Sequence, residues 1–164
     1  MSSCRWPWKG CGNPPRSSVS RIVTFLSDWR LCWPGRIGMR VGFIGLGNMG
    51  AAMAAGILES GAVSPSDVLL ANRSRGKAEA LAERFRGAKV VEDNRDAAER
   101  SDVLFVTVRT DQLLGVLKDI SPVRAGVHVV VVNGAVPLVR LEEVCGAAVS
   151  KLVPSVTMEW GRGV

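Results

Sequence analysis

Met39-Arg40-Val41-Gly42-Phe43-Ile44-Gly45-Leu46-Gly47-Asn48-Met49-Gly50 is the stretch on which the reading of this 164-residue chain turns. An apolar run, Arg40 to Ile44, passes directly into G-x-G-x-x-G, and a small-residue helical stretch, Asn48 to Ser60, follows. The three glycines of such a loop serve distinct mechanical ends. Gly45 permits a tight turn, Gly47 lets backbone approach a pyrophosphate, and Gly50 lets the helix lie close on the strand. Backbone N–H groups and the positive end of the helix dipole then hold the anion. Gly45, Gly47, Asn48, Met49 and Gly50 are therefore candidate phosphate-contacting positions.

Downstream the pattern is regular. Strands are expected at Asp67 to Ala71, Lys89 to Val91, Asp102 to Val108, Val127 to Val132 and Ala147 to Val153. Helices are expected at Ser74 to Phe85, Asn94 to Arg100, Asp111 to Ile120 and Leu138 to Val144. Strands that are apolar throughout, alternating with helices, imply a parallel sheet covered on both faces. With the first pair, six strands and five helices make one Rossmann-type, doubly wound α/β unit of three layers, with strand order 3-2-1-4-5-6 and right-handed crossovers.

The end of the second strand selects the cofactor. An NAD site usually carries Asp or Glu there, to accept from the ribose 2′-hydroxyl. This chain has Asn72-Arg73-Ser74, with Arg75 and Lys77 just beyond. A 2′-phosphate carries roughly −1.5 to −2 charge and calls for charge-assisted N–H donors. Arg73 and Lys77 can supply them, with Asn72 and Ser74 as hydrogen-bonding neighbours, so NADP, with NADPH preferred over NADH, is the expected cofactor. Read without a ligand, the same residues are a helix start with solvated cations.

Composition divides the chain at Met39. The whole has 21 Lys and Arg against 15 Asp and Glu, a formal +6. Residues 1–38 hold six of those cations (Arg5, Lys9, Arg16, Arg21, Arg30, Arg36) and one anion, Asp28, so residues 39–164 are nearly neutral. Three of the four cysteines and four of the five tryptophans also precede Met39. Residues 1–38 carry four prolines and no sustained period, and Cys4, Cys11 and Cys32 fit no zinc spacing. This segment is expected to be an unstructured extension, translated from upstream of a natural start at Met39. A near-neutral domain argues against a nucleic-acid partner. No apolar run reaches the ~18 residues of a membrane helix, and one cysteine, Cys145, in residues 39–164 excludes a disulfide framework there. Both point to a cytoplasmic protein.

The residues quoted so far resemble the pyrroline-5-carboxylate reductase family, enzymes that reduce a cyclic imine to proline with NAD(P)H. The likeness runs from Met39-Arg40-Val41-Gly42-Phe43-Ile44 and GLGNMG through Gly61 to Asp67, Asn72-Arg73-Ser74, Asp93-Asn94 and Val153-Pro154-Ser155 to Gly161-Arg162-Gly163-Val164. It spans residues 39–164 and none of 1–38. The resemblance implies proline biosynthesis by hydride transfer from NADPH, with Asn94 near the adenosine ribose and Thr107, Val108 and Arg109 on the nicotinamide side. It also implies a following all-helical domain that forms the homo-oligomer and completes the imine pocket. That domain would begin where this chain stops, so the chain by itself is expected to be the inactive cofactor half.

Three departures fall near the hydride: Thr107-Val108-Arg109-Thr110 for A-V-K-P, Asn133-Gly134-Ala135 for small apolar residues and glycine, and Val153-Pro154-Ser155-Val156-Thr157 for M-P-N-x-P. They are similar to changes in a divergent branch that includes a competence-operon protein. Two other readings stay open: a β-hydroxyacid dehydrogenase, which also favours GLGNMG, and a dinucleotide-binding regulatory protein without turnover. No residue stands out as a proton donor, and no metal site is expected. His128, inside an apolar run, reads as a core or sheet-edge residue, Cys145 as packing, Met49 and Met53 as core filler, and Glu142, Glu143 and Glu159 as solvated charges. Trp160 reads as a hinge or domain contact.

Overall fold

The computed structural model describes residues 38–153. In chain order the elements are β1 (Val41–Ile44), α1 (Asn48–Glu59), a 3-10 turn (Pro65–Asp67), β2 (Val68–Ala71), α2 (Arg75–Arg84), β3 (Lys89–Val90), α3 (Asn94–Arg100), β4 (Val103–Val106), α4 (Thr110–Ile120), β5 (His128–Val132), α5 (Leu138–Cys145) and β6 (Ala148–Leu152). All strand pairs are parallel and the order is β3-β2-β1-β4-β5-β6, the order expected from the sequence. Position 41 sits opposite both Val68 and Val103, so β1 lies at the centre between β2 and β4.

All four residues of β1, β2 and β4 are buried, and alternation along the strands divides them between two cores. Val41, Phe43, Val68, Leu70, Val103 and Phe105 join Met53, Ile57, Ala78 and Leu81 of α1 and α2. Ile44, Leu69, Ala71, Leu104 and Val106 join Ala97, Leu113, Leu117 and Leu141 of α3, α4 and α5. Two helices therefore cover one face and three the other. Phe43 and Phe105 stack across neighbouring strands with ring centroids 5.0 Å apart.

The amino end of the sheet is tied by one side chain. Asp102, buried before β4, accepts the Arg40 N–H at 3.0 Å and the Arg124 guanidinium at 3.3 Å, while its carbonyl accepts the His128 N–H at 2.9 Å. The starts of β1, β4 and β5 are thereby held together. His128 is buried, its Nε2 sits 2.9 Å from Ser150 Oγ, and burial keeps its imidazole below the ordinary range. Burial likewise pushes the Cys145 thiol up, against a smaller opposing pull from the Ala147 backbone.

Element ends differ from the sequence expectation where side chains intervene. β4 stops at Val106 instead of Val108: Thr107 N makes the last rung, donating to Ile44 O at 2.9 Å, and its single hydroxyl proton is shared between Ile44 O, at 3.2 Å, and Gly45 O, where β1 itself ends. Asp67, expected to begin β2, instead closes the 3-10 turn that starts at Pro65. Among the described residues, no helix is long and apolar enough to cross a membrane.

Candidate functional site

β1, β2 and β4 end side by side, and the chain leaving β1 turns at once into α1. Gly45 makes that turn at φ +90°, where a β-carbon would be strained and would stand 2.8 Å from Val108 Cγ1. Gly50 lies beneath the turn: a β-carbon there would overlap Gly45 O and Thr107 Oγ1 and come within 3.2 Å of the Gly45 carbonyl carbon. Helix α1 can reach this depth only without a side chain at position 50. Gly47 is different, because a β-carbon there would meet nothing within 4 Å. It is the N-cap of α1; no side chain caps the helix, and no acidic residue lies in its first turn. The unsatisfied N–H groups and positive dipole end of this helix are left uncompensated by the protein's own side chains.

The second strand is joined to the glycine turn at the same edge. Gly45 N donates to Ala71 O at 3.0 Å. Leu46 N donates to Asn72 Oδ1 at 2.9 Å, and Asn72 Nδ2 donates to Ser74 O at 2.9 Å. Beyond Ser74, Arg75 is held by Glu79 at 3.0 Å. Among the described residues, the side chains of Arg73 and Lys77 have no ion-pair or hydrogen-bond partner, and both are exposed.

A crevice of about 680 Å³ opens here, across the carboxyl ends of β1, β2, β3 and β4. Its position, where the strand order reverses between β1 and β4, is where ligands of open α/β sheets bind. Ten of the residues singled out from the sequence line it: Gly45, Gly47, Asn72, Arg73, Ser74, Lys77, Asn94, Thr107, Val108 and Arg109. Three do not: Asn48 is an exposed first residue of α1, Met49 packs partly against the core with Met53, and Gly50 is buried beneath the loop. Arg109 is turned to its own helix start, its Nε donating to Asp111 at 3.1 Å.

Sequence reasoning missed the far wall. Glu92 and Asp93 follow β3, and Gln112, Gly115, Val116 and Asp119 project from α4 at i, i+3, i+4 and i+7, one helical face. A polar residue and a glycine recurring at that spacing beside an apolar stripe was the available signal. The Asn133 departure is also accounted for locally. Its amide donates to Thr110 Oγ1 at 2.8 Å and accepts from Ala135 N at 2.8 Å and Val136 N at 3.0 Å, while Lys151 Nζ donates to Gly134 O and Val136 O. Polar side chains fix the β5–α5 turn. Pro154 to Val164, with Ser155, Thr157, Glu159 and Trp160, and residues 1–37 lie outside the described residues. Among the described residues, no group of three or more His, Cys, Asp or Glu is placed to hold a metal ion.

Chemically, the crevice offers uncapped helix N–H groups and two unengaged cations at one edge, with apolar lining from Val91, Val108 and, on α4, Val116. That set fits a ligand with two separated phosphate groups joined through flat, partly apolar rings.

The sequence model of a family described as NADP oxidoreductase, coenzyme F420-dependent, matches residues 40–137. ComE operon protein 4 of Bacillus subtilis is 28% identical over 127 residues, covering 77% of this chain and 46% of that protein. Pyrroline-5-carboxylate reductase 3 of Danio rerio is 31% identical over 120 residues, covering 71% of this chain and 41% of that protein. Among solved structures, a pyrroline-5-carboxylate reductase from Coxiella burnetii superposes with a TM-score of 0.69 at 26% identity, covering 77% of this chain and 48% of that one. The chain thus spans less than half the length of these relatives.

Proposed function

The chain belongs to the family of NADP oxidoreductases described as coenzyme F420-dependent, and we propose that residues 39–164 are the NADP-binding half of an imine reductase resembling pyrroline-5-carboxylate reductase. One observation carries the cofactor choice: two cations without partners, Arg73 and Lys77, line the crevice at the end of β2, where an NAD site would carry a carboxylate. Of the two cofactors that the family's description names, the glycine turn and these cations suit NADP, through its phosphates.

In this reading Gly47 and the start of α1 receive the pyrophosphate, Arg73 and Lys77 hold the 2′-phosphate with Ser74 beside them, and Asn94 lies near the adenosine ribose. Thr107 and Val108, at the end of β4, border the nicotinamide side. NADPH, when bound, supplies the hydride that an imine carbon would accept. The chain's own contribution is binding and orientation: Thr107 ties the floor of the turn to the β4 edge through Ile44 O and Gly45 O. The imine substrate, proline formation, homo-oligomer assembly and a cytoplasmic setting extend the same reading. Two of the relatives, each roughly twice this length, are named pyrroline-5-carboxylate reductase, which supports the imine substrate and proline formation; homo-oligomer assembly is carried only by the sequence resemblance. A buried thiol at Cys145, the one cysteine among the described residues, supports the cytoplasmic setting.

Titration of the 164-residue chain with NADPH and NADH tests the cofactor reading. A charge-assisted contact to phosphate contributes about 1.5–3 kcal/mol, so NADPH is expected to bind at least tenfold more tightly than NADH, and Arg73→Ala to remove most of that difference. Equal dissociation constants for the two cofactors in the unaltered chain would refute it.

A further inference from the structure

We propose that Asn72 is a positioning residue that locks the pyrophosphate seat to the 2′-phosphate turn, instead of serving chiefly as a ligand; this rests on the NADP reading above. The backbone ladder between β1 and β2 ends with Gly45 N donating to Ala71 O at 3.0 Å. One residue further on, the two chains part toward α1 and α2. Here a side chain replaces the next rung: Asn72 Oδ1 accepts Leu46 N at 2.9 Å, and its Nδ2 donates to Ser74 O at 2.9 Å. One carboxamide therefore spans the glycine turn and the turn that carries Arg73.

The chemistry is specific to Asn. Both functions need an acceptor atom and a separate donor atom on one short, flat group; an ionised carboxylate has no donor, and a hydroxyl carries donor and acceptor on a single oxygen. The Leu46 side chain is buried with the core, which fixes the position of its N–H, and the bond that N–H makes to Asn72 is itself partly buried. With Leu46 N already engaged, the donors left for a pyrophosphate begin at Gly47, where no side chain caps the helix. Asn72 thus decides which N–H groups of the turn point to ligand and holds them in register with the 2′-phosphate cations.

A direct ligand and a lock differ in which cofactor suffers. In the full chain, Asn72→Ala is expected to weaken NADH about fivefold, the loss represented by one neutral hydrogen bond, and NADPH by at least as much, because the turn that carries Arg73 is released as well. In the ligand-free protein, hydrogen exchange at the Leu46 amide should accelerate by a similar or larger factor while β4 amides keep theirs. Asn72→Asp retains the acceptor for Leu46 N and loses the donor to Ser74 O. It should keep Leu46 protected, while NADPH, facing a new carboxylate, weakens about tenfold or more relative to NADH.

Loss of NADPH affinity alone in Asn72→Ala, or unchanged Leu46 exchange, would overturn the proposal. If Asn72→Ala does not fold, Asn72→Asp decides by itself, and an unprotected Leu46 there would be the contrary result. Should the unaltered chain bind neither dinucleotide, the cofactor reading falls, and Leu46 exchange in the two variants still judges the lock.

Discussion

Replacing Gly50 by alanine tests the geometry on which the crevice depends. Intrinsic preference favours the change, because alanine is more stable than glycine within a helix by about 0.8–1 kcal/mol. Packing opposes it. The new methyl would overlap Gly45 O and Thr107 Oγ1 and stand 3.2 Å from the Gly45 carbonyl carbon. The carbonyl belongs to a turn already fixed by Gly45 N to Ala71 O at 3.0 Å and by Thr107, so no flexible side chain can step aside. Helix α1 must instead retreat, loosening Met53, Ala54 and Ile57 from the core. Overpacking of this kind costs roughly 1–3 kcal/mol, and toward its upper end against backbone. The net expectation is a loss of about 1–2 kcal/mol in unfolding free energy, read from the urea midpoint, together with weaker NADPH binding. Gly47→Ala is the matched comparison: its methyl meets nothing in the protein. It should leave stability within about 1 kcal/mol, the worth of a cap position, yet reduce NADPH affinity by obstructing the approach of phosphate. Equal stability of Gly50→Ala and the unaltered chain would refute the close-approach argument, and full NADPH affinity in Gly47→Ala would refute the placement of the pyrophosphate.

Other expectations follow from the same structure. His128 is buried with its imidazole held below the ordinary range, so the unfolded chain binds its proton first as pH falls. Stability should therefore be complete above the unfolded value, roughly 6.5, and decline as pH drops from there toward the lower folded value; denaturation midpoints at about pH 7.5 and 5.5, unchanged by His128→Gln, would contradict this. The 164-residue chain should bind NADPH but leave Δ1-pyrroline-5-carboxylate unreduced, followed by the absorbance of the reduced nicotinamide; steady imine-dependent oxidation would reverse the view that it is half of an enzyme.

Much of the fold was legible because burial and period agree. Val68 to Ala71 and Val103 to Val106 are buried at every position, and uninterrupted apolar runs between helices have few solutions besides a covered parallel sheet. The glycine spacing identified the turn, since Gly45 and Gly50 answer to local sterics that sequence encodes directly. What escaped notice depends on contacts between distant segments. Thr107 at the end of β4 bonds to residues about sixty positions earlier, and Asn72 reaches 26 residues back to Leu46. Propensity contains neither. Likewise, the Gln112 to Asp119 wall is an ordinary exposed helix face until β3 and its following loop are set opposite it.

Asp102 gives the two ends of the sheet different evolutionary freedom. By gathering Arg40, Arg124 and the His128 amide, it anchors the starts of three strands at the end away from the crevice. The strand starts are thus aligned independently of the loops at the crevice, which carry their own ties through Thr107 and Asn72. Arg73, Ser74, Arg109 and Gln112 are exposed, so substitutions there are expected to leave the scaffold beneath folded. A library that randomises those positions while sparing Asp102 would retain far more folded members than one that does the reverse.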